Sequence, residues 1–91
     1  MAQTAPAARP LLTAAQLAAD LKARRKSRGW TQADVAGRMG LSQKRYSVLE
    51  RDPSLLSVAQ LIALLAILDF ELVIGSRGGA RDSVAKRSVE W

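Results

Sequence analysis

Three times along this chain a Ser or Thr stands three positions before a Gln or Asp and is bracketed by an apolar pair, which fixes where helices begin. A hydroxyl so placed accepts a hydrogen bond from the backbone N–H three residues on. The amide or carboxylate there reaches back, and the apolar pair clasps the incoming chain to the first turn. Thr13 and Gln16, between Leu12 and Leu17, open a first helix; Thr31 and Asp34, between Trp30 and Val35, a second; Ser57 and Gln60, between Leu56 and Leu61, a fourth. Ser42 opens the third, with Leu41 and Tyr46 as the bracket, although Arg45 stands where the reach-back group would be. Four starts within 91 residues predict a bundle of short helices.

The first helix is predicted over 14–28, stopped by Gly29, with Leu17, Ala18 and Leu21 on its apolar face and a basic C-terminal half that suits the helix dipole. The second, 32–39, buries Val35, Ala36 and Met39, and Gly40 supplies the left-handed residue of a sharp turn. The third, 43–51, turns Tyr46 and Leu49 inward and leaves Gln43, Lys44, Ser47 and Arg51 outward. The fourth, 58–68, carries Val58, Leu61, Ile62, Leu65 and Leu68, widened by Leu64, a stripe broad enough to be covered on two sides.

Phe70 to Ile74, ended by Gly75, reads as one short strand. A lone strand finds no partner within the chain, and the simplest one is the same strand of a second copy across a two-fold axis. The predicted dimer interface is therefore Phe70, Leu72, Val73 and Ile74, with Leu65 of the fourth helix. A domain this small buries little surface alone, which also favours a homodimer. The expected organisation is a flexible N-terminal arm at 1–10, a folded and dimerising domain at 11–74, and a flexible Gly-, Ser-, Arg- and Lys-containing tail at 75–91 that ends in Trp91.

The charge is unevenly placed. Lys22, Arg24, Arg25, Lys26, Arg28, Arg38, Lys44, Arg45 and Arg51 face only Asp20, Asp34 and Glu50 over 20–51, an excess of six that equals the formal +6 of the whole chain. An anionic partner is implied, nucleic acid first. The chain has no Cys and no His, so it lacks disulfides, thiolate or imidazole metal ligands and the usual nucleophile–base pairs. Neither an enzyme nor a cofactor is expected. The longest uncharged run, 53–68, is 16 residues, begins with Pro and contains Ser54, Ser57 and Gln60, which is short and polar for a bilayer span. No membrane association is expected, and the Ala- and Pro-rich 1–10 segment has no apolar core of a secretory signal, so a cytoplasmic location is the expectation.

Two short helices joined at Gly40, the second with a polar outer face, have the dimensions a DNA major groove accepts. The coupled positions Thr31, Gln32, Val35, Ala36, Gly40, Leu41, Ser42, Tyr46, Ser47, Leu49 and Glu50 resemble the phage-repressor and Xre-type helix-turn-helix family. That resemblance implies an all-α, lambda-repressor-like domain of four to five helices with one short C-terminal strand pairing across a dimer. It implies base reading by Gln43, Lys44 and Ser47 and a phosphate contact by Gln32. The basic residues around the helix pair, Arg25, Arg28, Arg38 and Arg45, are expected on phosphates as well. Glu50 is expected to anchor the third helix through an ion pair, and Trp30 to act as a staple at the core edge.

The order Gly29-Trp30-Thr31-Gln32, Gly40, Gln43, Ser47, Glu50, Pro53, long fourth helix, strand and terminal Glu90-Trp91 is similar to the HipB-like antitoxins of HipA-type kinases. The resemblance implies a dimeric repressor of its own operon that binds a palindromic operator in double-stranded DNA and a HipA-like Ser/Thr kinase toxin, with Trp91 docking that partner. The bulkier, more basic Lys44-Arg45-Tyr46 departs from the family pattern, so no operator sequence is implied. Two alternatives stay open: a free-standing Xre-type repressor without a toxin, and a protein-interaction module whose basic face is incidental.

Overall fold

The computed structural model describes residues 8–77. They form α1 (Ala14–Ser27), α2 (Gln32–Met39), α3 (Gln43–Arg51), a 3-10 turn (Pro53–Leu55) and α4 (Val58–Ile67). Residues 1–7 and 78–91 lie outside this description, and with them Trp91 and most of the expected arm and tail.

Each helix starts on the hydroxyl that the sequence places there. Thr13, Thr31, Ser42 and Ser57 accept from the backbone N–H of Gln16, Asp34, Arg45 and Gln60, each at 3.0 Å. Asp34 and Gln60 complete reciprocal boxes by accepting from the N–H of Thr31 and Ser57 at 2.8 and 3.0 Å. Gln16 reaches one residue further back, to the Leu12 N–H at 2.9 Å, and its amide nitrogen donates to the Pro10 carbonyl at 2.7 Å. Together with an Arg9–Asp20 ion pair, this ties the described end of the arm to α1.

Three helix ends share one device. Gly29 and Gly40 stand at φ 75° and 73°, and the following N–H groups, of Trp30 and Leu41, bond back to the carbonyls of Arg25 and Ala36. At α4 the same role falls to Asp69, a non-glycine at φ 62°, with the Phe70 N–H on the Leu65 carbonyl at 2.8 Å. The helix ends where the sequence predicts its end, but the left-handed residue that turns the chain was not foreseen, because aspartate takes up that region far less often than glycine.

The core gathers Leu21 of α1, Val35 and Ala36 of α2, Tyr46 of α3 and Leu64, Leu65 and Leu68 at α4, with Leu17, Trp30, Met39, Leu56, Leu61 and Phe70 packed around it. The buried face of α4 is thus Leu64, Leu65 and Leu68. Val58 and Ile62, expected on that face, are 70% and 52% exposed. Leu65, expected at the dimer interface, is 7% exposed and packs mainly in the core of its own chain. Residues 70–74 form no strand among the described residues. Phe70 leans on the core, whereas Leu72, Val73 and Ile74 are exposed.

Candidate nucleic-acid interface

Gly40 reverses the chain between α2 and α3, and Ser42 caps α3 two residues later, so the start of α2 and the outer face of α3 converge. Gln32 of α2 and Gln43, Lys44, Ser47, Val48 and Arg51 of α3 line one shallow depression of about 460 Å³. Positions 44, 47, 48 and 51 recur at helical spacing, so they present a single stripe. The stripe carries one hydroxyl, two cations and one small apolar surface, and Gln32 and Gln43 add amides able to donate and accept. These are the functional groups that read base edges and hold phosphates.

Beneath that face lies a closed polar network. Arg25 of α1 donates from Nε to Glu50 Oε2 at 2.8 Å and from Nη2 to Oε1 at 3.0 Å. Gln32 Nε2 donates to Oε1 at 3.0 Å and the Tyr46 hydroxyl to Oε2 at 2.8 Å. Four donors fill the roughly four acceptor sites of a carboxylate. Arg25 spends its remaining reach on the Trp30 carbonyl, 3.0 Å from Nη1. Burial raises the Glu50 carboxyl, but the bonds from Arg25, Gln32 and Tyr46 outweigh it and hold the group below its ordinary value. The Tyr46 hydroxyl is pushed up, chiefly by burial and then by its bond to Glu50. The Glu50 bond raises the Arg25 guanidinium, so both members of the pair stay charged at neutral pH.

Of the residues expected to meet DNA, the structure brings Gln32, Gln43, Lys44 and Ser47 together. Arg25 is corrected: only 7% exposed and committed to Glu50, it has no free edge for a phosphate. A run of arginines beside the helix pair reads as phosphate-facing, and nothing local announced that one of them faces a carboxylate 25 positions away. Arg28 and Arg38 flank Trp30, with guanidinium carbons 5.0 and 4.2 Å from the ring centre. Arg45 is exposed on α3 but does not line the depression. Trp30 is half-buried against the core, as a staple requires. Val48 and Arg51 were missed as members of the site. Continuing the 44–47 stripe by one turn along α3 would have found both.

Comparison with known proteins agrees with this architecture. A family model for a helix-turn-helix domain, HTH_3, matches residues 21–74. Antitoxin HipB of Escherichia coli strain K12 is 26% identical over 77 residues, covering 84% of this chain and 88% of the relative. Antitoxin HipB of Escherichia coli O6:H1 is also 26% identical over 77 residues, covering 84% and 82%. Among solved structures, HipB in the HipB-O1-O2 complex superimposes with a TM-score of 0.65 at 25% identity, over 75% of this chain and 99% of that one. A chain of the HipA-HipB-O2-O3 complex does so with a TM-score of 0.67 at 25% identity, over 76% and 97%. Among the described residues no helix is long and apolar enough to cross a membrane.

Proposed function

This chain belongs to the helix-turn-helix family HTH_3, and we propose that it is a HipB-like antitoxin: a homodimeric, sequence-specific DNA-binding repressor that also binds a HipA-type Ser/Thr kinase. The observation that carries the DNA-binding reading is the convergence of Gln32, Gln43, Lys44, Ser47 and Arg51 on one face above a saturated Glu50 network. Gln43, Lys44 and Ser47 read base edges in the major groove. Gln32 approaches a phosphate with the amide proton that Glu50 leaves free, while Arg28, Arg38, Arg45 and Arg51 supply the positive field around the contact.

The dimer is supported by apolar surface the monomer leaves uncovered, namely Val58 and Ile62 on α4 and Leu72, Val73 and Ile74 beyond it. In the dimer the 70–74 segments pair as strands about the two-fold axis, which satisfies their backbone groups and presents the two α3 helices to a palindromic site. The kinase partner is supported by the two HipB relatives and by the HipA-HipB-O2-O3 complex, and autoregulation of the operon follows from the resemblance to HipB-like antitoxins.

The test joins two titrations of the same protein. Binding to its own promoter fragment should weaken steeply with added salt and show a dimer stoichiometry, and the protein should suppress the activity of a purified HipA-type kinase. Salt-dependent binding with no effect on the kinase would reduce the reading to a free-standing repressor; no preference for the promoter over unrelated DNA would overturn it.

A further inference from the structure

Two adjacent arginines of α1 hold opposite sides of the domain. Arg25 secures α3 through Glu50, whereas Arg24 secures the far end of α4. Arg24 Nε donates to the Leu68 carbonyl at 2.8 Å, and its Nη2 donates to the Asp69 carbonyl at 2.6 Å. Its guanidinium carbon lies 4.6 Å from the centre of the Phe70 ring. A helix end leaves its last carbonyls without intrahelical donors, so these two bonds fill positions the backbone leaves open. A rigid planar fork across two successive carbonyls, stacked on the ring that follows, constrains a direction as well as a distance; a lysine ammonium would act only as a point charge. Arg28 adds a looser contact, 3.9 Å from Asp69, between exposed groups.

We propose that Arg24 is a positioning residue for DNA recognition: by fixing the turn Leu68–Phe70 it sets the direction in which the 71–74 segment leaves the domain, and thereby the half-site spacing that the dimer accepts. The inference rests on the dimeric DNA-binding reading above. In a two-fold assembly joined through these segments, any change of exit direction is applied once in each subunit and so moves the two α3 helices relative to each other. The separation of half-sites is the direct imprint of that geometry. Arg24 and Arg25 make α1 the rigid member between the joining segment and the reading helix.

The experiment is a selection from one pool of random-sequence duplexes by the wild-type protein and by Arg24→Leu and Arg24→Lys, with sequencing to give both the half-site and the spacing. Circular dichroism and sedimentation establish that each variant is folded and dimeric. The lysine variant retains the charge and carries the test if the leucine variant does not fold. Wild type is expected to favour one spacing by about tenfold or more. Arg24→Leu is expected to select the same half-site with that advantage reduced to about threefold or less, and Arg24→Lys to fall between. A merely structural Arg24 would lower affinity at every spacing and leave the preference intact; that result overturns the proposal while the DNA-binding reading stands. If wild type itself selects no paired half-sites, the dimeric reading fails and the proposal falls with it.

Discussion

Glu50 of α3 and Arg25 of α1 meet as a two-bonded ion pair, at 2.8 and 3.0 Å, in the interior behind the face that carries Gln43, Lys44 and Ser47. The remaining lone pairs of the carboxylate go to Gln32 and Tyr46. One carboxylate thus registers three helices and fixes which way the Gln32 amide faces. The arrangement trades the desolvation of two charges for a defined orientation of α3.

Removing one partner leaves the other charge buried and unmatched. Glu50→Ala is expected to cost about 3–5 kcal/mol, and Arg25→Ala a similar amount, both read from urea unfolding. The double variant Arg25→Ala with Glu50→Ala should lose clearly less than the sum of the two single losses, as a coupled pair requires. Additive losses in the double variant would show that the two side chains act independently.

The network also predicts the acid limb of stability. The Glu50 carboxyl is lowered in the folded state, so its contribution is complete above the ordinary glutamate value of about 4.3 and is lost as pH falls through the lower folded value. Asp34, lowered by its bonds to Thr31, acts with the same sign at an exposed site. Urea midpoints measured on either side of the ordinary glutamate range should therefore fall more for wild type than for Glu50→Gln. Equal falls would remove Glu50 from the acid response.

The uncovered apolar surface predicts where assembly is sensitive. Val73→Pro removes a backbone donor and bends the 70–74 segment, and Ile62→Glu places a charge on the open face of α4. Both should weaken dimerisation and DNA binding together while leaving helix content unchanged. A Val73→Pro protein that sediments as a dimer at low micromolar concentration would exclude strand pairing as the joint.

Much of this was legible in the sequence because capping is local. Thr13, Thr31, Ser42 and Ser57 each announce a helix within four residues, and all four helices begin where those hydroxyls stand. What the sequence withheld was tertiary. α4 is apolar almost all round, so periodicity alone does not separate the buried Leu64 and Leu65 from the open Val58 and Ile62. The basic stretch of α1 is uniform in composition but not in fate: Arg24 holds α4, Arg25 is buried on Glu50, Arg28 lies over Trp30, and Lys22 and Lys26 face solvent. Which arginine does which depends on residues far along the chain.

The electrostatic and base-reading parts of the site should separate. Arg45→Ala is expected to lower affinity alike on specific and unrelated duplexes and to reduce the salt slope by about one. An unchanged slope would place Arg45 away from the phosphates.

If the α3 face reads sequence, losing the Gln43 side chain must cost affinity for one duplex and not for another. Wild type and Gln43→Ala are titrated onto a duplex that wild type has selected and onto a scrambled duplex of equal length, at one fixed salt concentration. A loss of about 1–3 kcal/mol is expected on the selected duplex, with binding to the scrambled one almost unchanged. Equal losses on both duplexes, or no loss on either, would contradict it.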